Sequence, residues 1–92
     1  MRVSRNEERS RYELDADGKI AGILVYRDGG DVLTMVHTEV GDEWEGQGVG
    51  STLVRGALDD VRARGLTVRP LCPFVVGYLR RHPEYRDLVA VS

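Results

Sequence analysis

Cys72 stands directly before Pro73 and a set of apolar residues at helical spacing, Phe74, Val75, Tyr78 and Leu79. That spacing predicts a helix with Cys72 as its N-cap and Pro73 at the favoured first position. The helix dipole favours a thiolate there, and a thiolate can take an acyl group covalently. The same cysteine reads equally as a small buried hydrophobe. A second reactive pair lies in the run Val32 to Val40, where His37 and Glu39 share one face of a strand. Histidine titrates near neutral pH, which suits it to deprotonate an amine directly or through water. A strand histidine satisfied by hydrogen bonds is the other reading. Tyr78 offers a phenol that is either a proton donor or a core aromatic with its hydroxyl at the surface. His82 lies next to Pro83 and reads as part of a helix stop.

A third chemical feature is Glu45-Gly46-Gln47-Gly48-Val49-Gly50-Ser51, between the strand-like run and a helix-like run from about Val49 to Arg64. Glycine permits a sharp turn and a close backbone approach to a ligand. The first amides of a helix have no internal partner, and the dipole adds partial positive charge. Together they form a site for phosphate or pyrophosphate, unless the stretch is only a flexible connection. Two nucleotide motifs are excluded. The Walker loop needs a lysine after its glycines, and none is near. The dinucleotide fingerprint needs a third glycine, but that position is Ser51 counting from Gly46 and Leu53 counting from Gly48.

These residues need elements to hold them. Residues 1–8 read as a polar, frayed start, and Ser10 to Leu14 as a short strand. Asp15-Ala16-Asp17-Gly18 is a turn, Ile20 to Tyr26 a strand, and Asp28-Gly29-Gly30-Asp31 a hairpin turn. In Val32 to Val40, strict alternation puts Val32, Thr34, Val36, Thr38 and Val40 on one face, with Leu33, Met35, His37 and Glu39 on the other. Val49, Leu53, Ala57 and Val61 make the buried stripe of the helix, beside Val54 and Leu58. Gly56 inside it marks close packing. Arg55–Asp59 and Asp60–Arg64 are spaced for ion pairs. Gly65 is the C-cap, and Leu66 to Arg69 is a short strand that joins Val32–Val40 in parallel by a right-handed crossover.

Composition bounds the rest. Ninety-two residues, 41% hydrophobic and 30% charged, suit one domain. The net charge of −2 gives no general pull toward nucleic acid. One cysteine fits a reducing, cytoplasmic setting and excludes an internal disulfide. No apolar stretch reaches membrane-spanning length, and no signal-peptide pattern opens the chain. No metal site is expected, and a monomer is.

The order of strands, glycine turn, helix, strand and helix resembles the GNAT superfamily of acyl-CoA-dependent N-acetyltransferases. Its signature is Arg/Gln-x-x-Gly-x-Gly/Ala; Gly48 and Gly50 match the small positions, and Glu45 departs from Arg or Gln. A closer resemblance is to a minimal, very short GNAT-like subgroup. It is carried by Pro70-Leu71-Cys72-Pro73-Phe74-Val75, Tyr78, Arg81-His82-Pro83-Glu84-Tyr85, Asp87-Leu88-Val89 and His37-Thr38-Glu39-Val40.

The resemblance implies an α+β fold in a single domain over residues 1–92, its core at about 10–89. The expected architecture is an antiparallel three-strand meander, a helix, a parallel fourth strand and a C-terminal helix. It implies acetyl-CoA as cosubstrate, its pyrophosphate on the amides of Gln47, Gly48, Val49, Gly50 and Ser51, with Glu45 turned away. The carbonyl and pantetheine amides would lie along the backbone of Thr38 and Val40, which brings Cys72 close to the acetyl group. Arg80 and Arg81 would reach the CoA 3′-phosphate. The family's helix pattern Asn-x-x-Ala-x-x-Phe-Tyr, laid from Cys72, puts Leu79 on the acidic tyrosine; a shift of one residue puts Tyr78 there. Larger members place two helices between their first and second strands, where only Ala16-Asp17-Gly18 fits. The acceptor side is therefore expected to be open to a protein, peptide or small amine, or to a partner that completes it. The activity implied is N-acetyl transfer; the alternative is a non-catalytic acetyl-CoA-binding module.

Overall fold

Short alternating runs punctuated by Asp/Gly turns make one sheet in chain order, as found in the computed structural model, which describes residues 1–90. Its strands are β1 (Arg2–Asn6), β2 (Arg11–Ala16), β3 (Lys19–Asp28), β4 (Val32–Val40) and β5 (Thr67–Pro70). β1 to β4 are antiparallel, and β5 joins β4 in parallel. Between them run α1 (Val49–Ala63) and, after β5, α2 (Pro73–Arg81), with 3-10 turns at Asp42–Trp44 and Pro83–Leu88. The α+β architecture is as expected, with one strand more. None of the described helices is long and apolar enough to cross a membrane.

That extra strand is β1, where a frayed start was expected. Only Val3 signals it in the sequence. Arg5 also points inward, its side chain 7% exposed, with Nε donating to the Tyr26 hydroxyl at 2.8 Å. The connection between the first two strands is therefore the turn at residues 7–10, not 16–18. It leaves the same consequence: the helices cover one face of the sheet and the other face stays bare.

On the covered face Tyr12, Leu14, Leu24, Tyr26, Leu33 and Met35 meet Leu53, Val54, Ala57, Leu58 and Val61 of α1, and Val75, Tyr78 and Leu79 of α2, in one core. The pair Asp60–Arg64 forms at 2.8 Å, and Asp60 also accepts from Tyr12 at 2.7 Å. The other expected pair does not form, because Asp59 is taken by the Tyr85 hydroxyl at 2.7 Å.

Gly56 is where β1 crosses α1: a Cβ there would lie 2.7 Å from Val3 Cβ. Val3 Cβ is fixed to the backbone, so the strand itself would have to move. Gly56→Ala is expected to lower stability, because overpacking costs about 1–3 kcal/mol while helix propensity returns only about 1 kcal/mol. Combining it with Val3→Ala should recover little, because alanine keeps the Cβ that clashes, whereas Val3→Gly should remove the clash; urea denaturation of the variants checks this.

Candidate active site

β4 and β5 pair only over Val32–Met35 and Thr67–Pro70. Beyond Pro70 the amides of Leu71 and Cys72 both donate to the Met35 carbonyl, at 3.0 Å each, and the chain turns into α2. β4 runs on alone and a gap opens beside it. At the same place β4 bulges. Val25 pairs with His37 but Tyr26 pairs with Met35, so Val36 is an extra residue. A bulge reverses which side chains face which way. The expected strict alternation of β4 is therefore corrected: Leu33 and Met35 face the core, but His37 and Glu39 lie on the bare face, and Thr38 turns to the helices. The backbone of Thr38 and Val40 is left toward the gap, since Gly41 beyond them donates to Ala21 on β3 at 2.9 Å.

Cys72 occupies the gap. It caps α2 with extended backbone, followed by Pro73 as expected, and is 4% exposed. Its Sγ lies 3.4 Å from Thr38 Oγ1. Burial opposes charge on the thiol. Hydrogen bonds from Thr38 Oγ1 and from the amides of Val75, Phe74 and Thr38 outweigh burial and hold its pKa below the usual thiol value. The thiol is thus buried, and its hydrogen bonds favour its charged form.

His37 and Glu39 sit across the sheet from the thiol, their side chains 57% and 63% exposed, with Nε2 and Oε2 3.5 Å apart. The imidazole is thus at the surface rather than in the core. Glu39 lines a cavity of about 200 Å³ on the bare face with Ile20 and Ile23.

The glycine stretch turns as its composition demands. Gly46 and Gly48 have φ of 78° and 73°, the left-handed region, and Gly48 is the N-cap of α1. No side chain caps the helix, and its first backbone bond is Thr52 N to Gly48 O at 3.0 Å. The amides of Val49, Gly50 and Ser51 are free for an anion. Gln47 instead bonds within the turn, its amide reaching Trp44 O at 3.4 Å. A cavity of about 260 Å³ lies against this turn, lined by Val40, Trp44, Val49, Gly50, Ser51 and Phe74 among others. Gly50 is required for Phe74: a Cβ would come 2.7 Å from its ring. Glu45, expected to turn away, contributes to the lining. Trp44 Nε1 is buried here without a hydrogen-bond partner.

Tyr78 does not join Cys72, His37 and Glu39. It is buried, which pushes its phenol pKa up, and its ring stacks on His82 at 4.0 Å. It lines a different cavity with Ser51, Thr52 and Arg55. Sequence reasoning missed Phe74 and Arg55 as wall residues; the short spacing from Cys72 was the only signal for the first. The largest depression, about 570 Å³, lies elsewhere among Ser4, Arg5, Glu7, Glu8, Glu13 and Arg64. Several of its charges pair, as in Arg64–Glu7 at 3.7 Å.

A strand parting from its parallel neighbour beside an uncapped, glycine-turned helix is the architecture of an acyltransferase of the GCN5-like kind. The fold matches an NMR solution structure of a GCN5-like protein from Staphylococcus aureus, with a TM-score of 0.71 and 24% identity over 99% of this chain and 89% of that one. The chain belongs to the GCN5-related N-acetyl-transferase family, whose model matches residues 11–88. It is also 27% identical to Protein NATD1 of Mus musculus over 85 residues, 90% of this chain and 77% of the relative. Protein NATD1 of Homo sapiens is 27% identical over 90% of this chain and 75% of its own length.

Proposed function

We propose that the protein transfers the acetyl group of acetyl-CoA to an amine. The observation that carries this reading is the end of the β4–β5 pairing at Met35 and Pro70, with the hydrogen-bonded Cys72 thiol against Thr38 and an uncapped glycine turn after β4. The residues fit the donor: the amides of Val49, Gly50 and Ser51 are uncapped, and α1 has no acidic residue in its first turn. Acetyl-CoA supplies the activated acyl group. The amides of Val49, Gly50 and Ser51 hold its pyrophosphate, while Gln47, whose amide bonds to Trp44 O, shapes the turn, and the backbone of Thr38 and Val40 orients the thioester in the gap.

Cys72 attacks the thioester carbonyl. Its sulfur–carbon bond forms, the bond to CoA breaks, and the thiol proton leaves on the CoA sulfur. On the bare face His37, oriented by Glu39, takes a proton from the acceptor amine. The amine nitrogen bonds to the acyl carbon, the bond to the Cys72 sulfur breaks, and the proton taken by His37 passes through solvent to the Cys72 thiolate. Val40 lines both the cavity at the glycine turn and the one holding Glu39, which puts the end of β4 beside both. Tyr78, facing its separate cavity, takes no part in these steps.

The test is acceptor-dependent release of CoA against a panel of amines and peptides, read beside intact mass. Acetyl-CoA is expected to leave an acetyl adduct on the wild type that Cys72→Ala lacks. Alkylation of Cys72 should follow a pH profile whose midpoint lies below that of a free thiol. Binding without release or adduct would assign the protein as a binding module instead.

A further inference from the structure

Two bulges act together on the bare face of the sheet. Asp15 pairs with Ile20 but Leu14 pairs with Gly22, so Ala21 is an extra residue in β3. Ile20 thereby leaves the core phase kept by Leu24 and Tyr26 and stands 50% exposed. The bulge at Val36 does the same to β4 and brings His37 and Glu39 to that face. Ile23 pairs with Glu39 across the two strands. Ile20, Ile23, Val40 and Glu39 then line the cavity of about 200 Å³ on the bare face, and Glu39 is the one charged group in that lining. Its Oε2 faces His37 at 3.5 Å, and a carboxylate has a second oxygen for a cation. The carboxylates opposite on β2 are engaged. Glu13, across from Ile23, accepts from Arg11 at 2.7 Å and Asn6 at 3.1 Å, and Asp15, across from Ile20, accepts from the Gly18 amide at 3.1 Å.

Charge and apolar surface are sorted by position here. An ammonium fits against Glu39, beside the imidazole, and whatever carries it must lie along Ile23 and Ile20. A second cation on that carrier would lose water without gaining a partner. An alkyl chain gains by its own burial. Resting on the acetyl-transfer reading, we infer that the acceptor is a primary amine on an uncharged alkyl chain, and that Ile20 selects it against a polyamine. Ile20 touches the chain and not the reacting nitrogen, so its role is specificity. The chain belongs either to a free alkylamine or to the stem of a lysine, since both present the same ammonium and methylenes.

The experiment measures kcat/KM by CoA release from acetyl-CoA with ethylamine, butylamine, hexylamine, diaminopentane and a lysine capped at both ends. Hexylamine and the diamine are equal in length and differ by a terminal methyl against an ammonium. With wild type, kcat/KM should rise about fourfold per methylene, the effect of burying one such group. Hexylamine should exceed the diamine by about tenfold or more, because the second cation has no partner. Ile20→Thr should flatten the dependence on chain length, and Ile20→Asp should reverse the order of hexylamine and diamine. Ile20 is half exposed, so both variants should fold, which thermal melts check. Capped lysine on a par with butylamine supports the inference with a lysine stem as the source; a rate well below butylamine supports it with a free amine. CoA release that is indifferent to chain length, or faster with the diamine, overturns the alkyl acceptor and leaves acetyl transfer standing. An unchanged order of acceptors in folded Ile20→Thr and Ile20→Asp overturns the role of Ile20. Release to none of these amines by wild type overturns the acetyl-transfer reading and the inference together.

Discussion

His37→Gln is expected to lower turnover by roughly 10²–10⁴, the usual worth of a general base. Acetyl-CoA affinity and melting temperature should stay near wild type, because the imidazole is more than half exposed and packs against no core residue. The acid limb of the pH–rate profile should flatten with it. Glu39→Gln should have a smaller effect on rate, since the carboxylate 3.5 Å away orients the imidazole. Turnover against pH, alongside thermal melts, separates these outcomes. A stable His37→Gln protein with an unaltered profile removes His37 from the mechanism.

Gly48→Val should weaken acetyl-CoA binding by roughly 10²–10³, the loss of two hydrogen bonds to a charged group. At φ 73° a β-branched residue is strained by about 1–2 kcal/mol, and the turn can relieve it only by moving the amides that follow. Gly50→Val should reach the same result by another route. Its new side chain drives the Phe74 ring, 2.7 Å from the Cβ position, into the adjoining cavity. Circular dichroism should remain near wild type for both, since the helix begins after Gly48 and Phe74 is 41% exposed. Folded variants with unchanged affinity in calorimetry overturn the placement of the pyrophosphate.

The sequence made some of this legible and hid the rest for physical reasons. The stripe Val49, Leu53, Ala57, Val61 announced α1 because helix burial leaves a regular signature, and Gly48 and Cys72-Pro73 announced its N-terminus and that of α2. β1 was hidden because an edge strand needs little burial, and Arg5 satisfies itself on Tyr26 rather than by being apolar. The bulge at Val36 was hidden because one inserted residue changes no composition; it changes only phase. That phase decides the site, since it separates His37 and Glu39 from Leu33 and Met35. Arg55 looked like half of an ion pair with Asp59 until the fold brought Tyr85 to the carboxylate. Pairing along one helix is visible in sequence, whereas competition from a residue 26 positions away is not.

Trp44 is the chain's single tryptophan, and its ring forms part of the wall of the cavity at the glycine turn. Emission excited selectively at this indole therefore reports on the cavity at the glycine turn. The indole N–H is shielded from water and bonded to nothing, so its excited state is poised between two environments. Any occupant that offers an acceptor to that hydrogen, or that excludes the remaining solvent from the ring, shifts the spectrum in opposite directions. The molecule carries its own optical reporter at the place where ligand chemistry begins, and the sign of the shift distinguishes a polar neighbour from an apolar one.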